Sequence, residues 1–445
     1  MRQSAARGGL GGSRGAAAAL AFLALAACGD DPPAATDTQN DTTPNGRTFV
    51  LAARAEAYDA RAQRPFVASL ASMTFPEAAA DVAPQPTVDR PVEAIVVPLD
   101  LIGIPWSSFA GPANQPVDLP GPWLAEVEAL EALIAEAGKP VVLAISPLAA
   151  EFDTLAAEAR DANGQLVLNT AWQPYCYDPS TDGNPTKYRD QFAGFARWAV
   201  ERFRPSMVLL GQRMNLYETT CGASAYSAIT GFVAEAVKRI DASETLTEKP
   251  LLLASVDVED LYGFPAKAGR CQTGTPADCL GTRKSLVATL EASGITHLAL
   301  ESYPHRAFPD ATQIPADWLS RVATVAAKPT AIAGLGLPAV DLDTAKGVCT
   351  RLVASTASTQ RAFLDQAIAI ADQKDMPLLV WRTLLDLAPS ETVAACPCAG
   401  DATLCTHLDQ LGAKRDERRV QLVAGLASKD GVARSALAIW RGLLP

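Results

Sequence analysis

Several apolar runs of this chain end in side chains that can transfer protons or form hydrogen bonds. In "VLLGQRMNLYE" the apolar stretch ends at Gly211, and Arg213, Asn215, Tyr217 and Glu218 follow. The other residues in such positions are Asp100, Trp106, Ser146, Gln212, Asp257, Glu259, Asp260, Glu301, Tyr303, His305, Trp381 and Arg382. Carboxylates can act as acids, bases or nucleophiles, and aromatic faces with amides and acids suit a neutral polyol. With two arginines as its main cations, this set predicts a polyol site rather than a phosphate or nucleobase site.

The elements that must position these side chains alternate along the chain. The apolar runs are "TFVLAA", "EAIVVPL", "VVLAISP", "MVLLG", "LLLASVDV", "HLALES", "TAIAGL" and "LLVW", and segments with helical spacing separate most of them. Prolines such as Pro140, Pro205 and Pro250 precede strands, where they end a helix and need no ladder donor. This pattern predicts an α/β (β/α)8 TIM barrel over 48–445, with loop insertions on its C-terminal face.

The insertions are expected at 106–121, 148–185 and 388–412, of which the first two follow strands. A doubly wound open sheet is the competing fold. It is disfavoured because no G-x-G-x-x-G motif follows an early strand. In the barrel, the residues just past the strands form one face, where catalytic groups are usually found.

The chain resembles the (β/α)8 glycosidases of clan A. "LLGQRMN" is similar to the strand-4 "GNE-x-N" signature, "LESYPH" to the strand-6 "S-Y-Y-P" stretch, and "AIAGLGLPA" with "VWR" to strands 7 and 8. The resemblance implies a general acid where this chain has Arg213 and a nucleophile where it has Gly334. Arginine is a poor proton donor and glycine has no nucleophile, so the ordinary two-carboxylate mechanism is expected to be absent.

Alternatives stay open for the individual residues. Glu301, Asp257 and Glu218 are candidate displaced catalytic carboxylates. Glu301 is alternatively an internal ion-pair partner of an arginine, Asp257 (with Glu259) a helix cap, and Glu218 a loop or helix-start charge. The candidate substrate-binding residues are Arg213, Asn215, Tyr217, Tyr303, His305, Trp381, Arg382, Trp106 and Trp172. Trp381 is alternatively a core residue, and Trp172 with Tyr175 and Tyr177 alternatively a packed loop.

The first 27 residues resemble a bacterial lipoprotein signal peptide. Arg2, Arg7 and Arg14 precede "AAAALAFLALAAC", and no acidic residue precedes Asp30. Cleavage before Cys28 and lipidation of that cysteine are expected, with 28–47 as a flexible tether; an ordinary secretory signal is the alternative. The expected location is the cell envelope, outside the cytoplasm, with the lipid as the sole membrane attachment.

Charge and cysteine content extend these expectations. Removal of the three arginines changes the formal charge from −11 to −14, which disfavours nucleic acid as a partner. Eight cysteines besides Cys28 suggest up to four disulfides in an oxidising compartment, with Cys271–Cys279 and Cys176–Cys221 as candidate pairs. The Cys-x-Cys spacing near Cys396 fits zinc poorly, so neither a metal nor a cofactor is expected.

Three functions are compatible with this sequence. The leading hypothesis is an envelope-anchored barrel that binds carbohydrate without the usual hydrolysis. The second is an active glycoside hydrolase that uses displaced carboxylates. The third is an envelope scaffold whose barrel rim binds a protein partner.

Overall fold

The computed structural model of the chain describes residues 49–54, 92–99, 103–109, 116–149, 152–160, 166–167, 175–177, 186–264, 276–343, 351–382, 386, 424–426 and 433–444. Cys28, Asp100, Trp172 and Cys271 therefore lie outside the described residues, as do the expected signal peptide and tether.

Eight parallel strands close into a barrel. They are β1 (Val50–Arg54), β2 (Ala94–Pro98), β3 (Val141–Ala144), β6 (Met207–Leu209), β7 (Leu251–Asp257), β8 (His297–Ser302), β9 (Thr330–Leu335) and β12 (Leu378–Trp381). Their order around the barrel is β1-β12-β9-β8-β7-β6-β3-β2, and each neighbouring pair is parallel. The predicted (β/α)8 fold is confirmed, and seven barrel strands lie within the predicted apolar runs, while β1 extends one residue past its run to Arg54.

Helices follow the strands as the repeating pattern predicts. They are α1 (Gly121–Ala137), α2 (Lys187–Phe203), α3 (Asn215–Cys221), α4 (Ala223–Asp241), α5 (Val258–Leu261), α6 (Pro276–Glu291), α7 (Trp318–Val325), α8 (Ala357–Gln373) and α9 (Ser435–Gly442). Two antiparallel hairpins, β4 (Glu158–Arg160) with β5 (Leu166–Val167) and β10 (Leu342–Asp343) with β11 (Arg351–Val353), lie in the insertions after β3 and β9. Among the described residues, no helix has the length and apolarity needed to cross a membrane.

Strand periodicity separates the barrel interior from the layer between strands and helices. The interior holds alternate strand residues: Ala52, Ala94, Val96, Val142, Ala144, Met207, Leu209, Leu253, Ala299, Ala331, Ala333, Leu378 and Val380. Continuing the period of two past Leu253, Ala299 and Val380 reaches Asp257, Glu301 and Arg382. The same alternation that fills the interior thus directs these charged residues to the carboxyl ends of the strands.

The disulfide Cys176–Cys221 joins the insertion after β3 to the end of α3, as one of the sequence-based pairings predicted. Cys176 lies between the exposed Tyr175 and the buried Tyr177, whose ring packs edge-on against Tyr188 and Phe232. The packed-loop interpretation therefore holds for Tyr177. Cys279 is also disulfide-bonded.

Candidate active site

Asp257 and Glu301 are brought side by side by the barrel register. Asp257 on β7 pairs with Glu301 on β8, and Glu301 pairs with Gly334 on β9. Neighbouring strands lie about 4.8 Å apart, so the three residues form one layer across adjacent strands. Asp257 and Glu301 are 0% and 2% exposed. These two candidate carboxylates therefore lie together at the carboxyl end of the barrel, as predicted, and both are buried.

Arg213 is held against Asp257. Its Nε and Nη2 atoms both lie 2.7 Å from Asp257 Oδ2, and its backbone N–H donates to Ser255 Oγ at 2.7 Å. The φ of Arg213 is 48°, in the left-handed region that non-glycine residues rarely adopt. Arg213 is thus the cation of a buried ion pair.

A second arginine contacts the same carboxylate oxygen. Arg306, in the 3-10 helix Pro304–Arg306, places Nη1 2.5 Å from Asp257 Oδ2. The other oxygen of Asp257 accepts from the backbone N–H of Asp260 at 2.8 Å and caps α5. Asp257 is therefore a counter-ion and a helix cap, and the capping interpretation of this residue is confirmed.

Asn215 positions the backbone at Asp257. Its Oδ1 accepts from the backbone N–H of Asp257 at 2.7 Å, and its Nδ2 donates to the backbone carbonyl of Asp257 and to Asp260 Oδ2 at 3.0 and 2.8 Å. Asn215 is completely buried. Its amide thus joins the start of α3 to Asp257 of β7 and to Asp260 of α5 inside the fold, and its contact with substrate stays a prediction.

Glu218 belongs to a neighbouring ion-pair group. Its carboxylate lies 3.1 Å from Arg283 Nη2, which also lies 2.7 Å from Asp260 Oδ2. Thr219 donates to the other oxygen of Asp260. Glu218 thus lies in the first turn of α3 with an ion-pair partner, as the alternative interpretation stated, and its role as a displaced acid stays a prediction.

Glu301 and Tyr303 occupy the space beside Gly334. Ser255 Oγ donates to Glu301 Oε1 at 2.5 Å, and the Tyr303 hydroxyl lies 3.4 Å from Glu301 Oε2. A Cβ atom at Gly334 would lie 3.1 Å from Glu301 Oε2 and 3.1 Å from the Tyr303 hydroxyl. The space beside Gly334 on β9 is therefore filled by Glu301 of β8 and by Tyr303, which directly follows that strand.

Arg382 completes this group from β12. Its Nη1 donates to the Tyr303 hydroxyl at 3.2 Å. The guanidinium carbons of Arg213 and Arg382 lie 5.2 and 5.8 Å from the centre of the Tyr303 ring. Both arginines therefore contact one tyrosine at the carboxyl end of the barrel, which brings together Arg213, Tyr303 and Arg382 as predicted.

Glu259 is a buried carboxylate behind Tyr303. It accepts from Ser302 Oγ, the backbone N–H of Tyr303 and Trp318 Nε1 at 2.5, 3.0 and 3.2 Å. Burial, followed by the nearby charge of Asp257, raises the pKa of Glu259 to about 7, while Arg306 and the hydrogen bonds from Ser302 and Tyr303 act in the opposite direction. This carboxyl group therefore titrates near neutrality.

Three aromatic residues predicted to bind substrate lie in the core instead. Trp381 packs against Phe363 of α8 and donates from Nε1 to the carbonyl of Ala424 at 2.8 Å. Strand alternation explains this, because its neighbours Val380 and Arg382 take the interior positions. Trp106 and Tyr217 are likewise buried.

The polar atoms of the Trp106 and Tyr217 side chains donate hydrogen bonds to backbone carbonyls in the insertion after β3. Trp106 Nε1 donates to the carbonyl of Ala156 at 2.9 Å, and the Tyr217 hydroxyl to that of Tyr177 at 3.4 Å. His305 is buried in the same 3-10 helix as Arg306. Its contact with a ligand stays a prediction, as does that of Trp172.

Ser255 and Arg306 are site residues absent from the sequence-based set. Ser255 lies two residues before Asp257 and faces the same way, so strand periodicity could have identified it. Arg306 has no such signal, because only the fold brings the turn after β8 to Asp257. Within the described parts of the chain, no group of three or more His, Cys, Asp or Glu side chains is arranged to hold a metal ion.

No protein-family model matches the chain, and no curated protein matches its sequence significantly. Solved structures similar to it include a fungal β-1,4-galactanase, at 13% identity, with 79% of this chain and 87% of that one covered and a TM-score of 0.43. The GH53 catalytic domain of Ignisphaera aggregans is 12% identical over 91% of this chain and 99% of its own, with a TM-score of 0.44. Xylanase B of Clostridium stercorarium F9 is 12% identical over 89% and 97%, with a TM-score of 0.43.

Proposed function

We propose that this chain binds carbohydrate at the carboxyl ends of its barrel strands without the two-carboxylate hydrolysis of clan A glycosidases. One observation carries the loss of hydrolysis. Arg213, which the sequence resemblance aligns with the general acid of clan A, is ion-paired with Asp257, and the space beside Gly334 is filled by Glu301 and Tyr303.

The chemistry of glycoside hydrolysis supports this reading. A retaining enzyme needs one carboxyl group to protonate the leaving oxygen and a second, about 5–5.5 Å away, to attack the anomeric carbon. Asp257 is the immediate neighbour of Glu301, but the guanidinium groups of Arg213 and Arg306 both bind the Oδ2 atom of Asp257. Its other oxygen accepts from the backbone N–H of Asp260, so both oxygens of Asp257 are already bound within the protein and neither is directed at a sugar as a proton donor to partner Glu301.

A second function remains a candidate because of the position of Glu301. Its Oε2 lies 3.1 Å from the point where a side chain at Gly334 would start, which suits a nucleophile supplied from the neighbouring strand. Such an enzyme would lack a general acid. It would cleave only glycosides whose leaving group departs without protonation, such as 2,4-dinitrophenyl glycosides.

Both functions are tested with the purified full chain on a glycan array and on a panel of 2,4-dinitrophenyl and methyl glycosides. We expect saturable glycan binding and no turnover of either glycoside series. Turnover of a dinitrophenyl glycoside that is lost in Glu301→Gln, and retained in the surface variant Glu128→Gln, would overturn the first function and support the second. Absence of binding to any glycan would contradict both.

We also propose that the chain is exported and anchored to the envelope through Cys28. The lipobox-like sequence supports this, and the Cys176–Cys221 disulfide is typical of an oxidising compartment. In cells given labelled palmitate, the wild type and Cys349→Ala should incorporate label and sediment with membranes, whereas Cys28→Ala should not. Label retained in Cys28→Ala would refute lipidation at this residue.

A further inference from the structure

Three arginines converge at the carboxyl end of the barrel. Arg213 and Arg306 share a single carboxylate oxygen of Asp257, and Arg382 enters the same group from β12. The sequence predicted a site whose main cations are two arginines, and the structure adds Arg306 as a third. A neutral polyol therefore no longer describes the ligand that this site fits best.

Arg382 is the least neutralised of the three. The residue is 9% exposed, and none of the carboxylates of the described residues forms an ion pair with it. Its Nη1 donates to the neutral Tyr303 hydroxyl, whereas its Nε is buried without a hydrogen-bond partner among those residues. Buried guanidinium groups are normally paired, because burial of an uncompensated charge is costly.

Glu301 does not neutralise Arg382 directly. Its two oxygens accept from Ser255 and Tyr303, and the Tyr303 hydroxyl lies between the carboxylate and the guanidinium. The guanidinium of Arg213 contacts the same tyrosine ring, which places two like charges around one side chain. Because Asp257 already neutralises Arg213, an anion bound beside Tyr303 would chiefly offset the charge of Arg382.

We propose that Arg382, with Arg213 beside it, binds the carboxylate of an acidic sugar, so that the ligand is a uronic-acid-containing glycan. This inference rests on the proposed carbohydrate binding and names its substrate class. The planar guanidinium of Arg382 matches a carboxylate with two parallel hydrogen bonds, and its buried Nε supplies a donor for one of them. The surrounding protein strengthens the attraction relative to bulk water.

The test uses the full chain and matched ligands in isothermal titration calorimetry. Oligogalacturonides, oligoglucuronides and oligomannuronates are each compared with their carboxyl-reduced, neutral forms. We expect at least one acidic oligosaccharide to bind tenfold or more tightly than its reduced form. Arg382→Met should bring the two affinities within about twofold, and Arg382→Lys should retain part of the preference. Arg361→Met, at an exposed position of α8, removes the same charge and should preserve the preference.

The outcomes separate this inference from the function on which it rests. Equal binding of acidic and reduced forms, or an unchanged preference in Arg382→Met, would overturn the acidic-sugar site and leave carbohydrate binding intact. Binding of no glycan, acidic or neutral, would overturn both. Circular dichroism establishes that each variant is folded, and if Arg382→Met is not, the comparison of wild type with Arg382→Lys decides.

Discussion

Asp257→Asn tests whether Asp257 is a structural counter-ion. The change removes a negative charge that neutralises Arg213 and Arg306, whose side chains are 6% and 14% exposed. Asparagine is also a good helix cap and can still accept from the backbone N–H of Asp260. The variant therefore isolates the loss of charge from the loss of the cap.

The size of the effect follows from burial. Removal of one partner from a buried ion pair costs about 3–5 kcal/mol, because the remaining charge stays in a poorly solvated environment. We expect Asp257→Asn to lower the free energy of unfolding by that amount. In an Arg306→Met background the loss should be smaller by about 1–3 kcal/mol, because one of the two cations is already gone.

Denaturant unfolding followed by circular dichroism measures both values. The control is Asp317→Asn, in which the removed carboxylate pairs with Arg321 and both side chains are about half exposed. Exposed pairs contribute about 0.2–1 kcal/mol, so this variant should change little. A loss for Asp257→Asn no larger than for Asp317→Asn would refute the role of Asp257 as the counter-ion of two buried arginines.

Three further predictions follow from the structure. Gly334→Ala should lower the free energy of unfolding by about 1–3 kcal/mol, because the added Cβ lies 3.1 Å from buried atoms. Gly231→Ala is the control: it lies in α4 with nothing near the added atom, so it should stabilise the protein. Thermal unfolding measures both. The pKa of Glu259 is raised from 4.5 to about 7 in the folded state, so folding favours the neutral carboxyl group. The free energy of unfolding should therefore fall as the pH rises from about 5 to 7. This slope should be weaker in Glu259→Gln, and an equal slope in that variant would contradict the raised pKa. Removal of the Cys176–Cys221 bond opens a loop with a sequence separation of 45 and should cost about 4 kcal/mol by loop entropy. The cost is measured as the difference in the free energy of unfolding between the wild type and the double variant Cys176→Ser, Cys221→Ser, which leaves the disulfide of Cys279 in place; no difference would show that the bond does not restrict the unfolded chain.

The barrel was predictable because its signals are local. Apolar runs of strand length, helical spacing between them and prolines at the junctions are each readable within a few residues, and together they specify alternating strands and helices. The polar residues that follow the runs were located correctly for the same reason. Arg213, Asp257, Glu301, Tyr303 and Arg382 all lie at the predicted face.

The orientation of the side chains was decided by the closed barrel. Trp381 and Arg382 are adjacent in sequence, yet one faces the helices and the other the interior, because a strand directs successive side chains to opposite sides. The alternation is visible in sequence, but which side is the interior depends on closure. A substrate role for Trp381 therefore could not be judged from its position after an apolar run.

Partner choice depended on contacts between residues distant in sequence. Arg213 pairs with Asp257, 44 residues away, and Arg306 reaches the same oxygen from 49 residues away. Such pairs form only when the register of neighbouring strands places them together, and no local pattern encodes that register. The sequence by itself determined a barrel with charged residues at its carboxyl end. Only the tertiary structure decided that Asp257 neutralises two arginines and that no carboxylate of the described residues pairs with Arg382, because charge balance in a buried site is a property of the assembled neighbours.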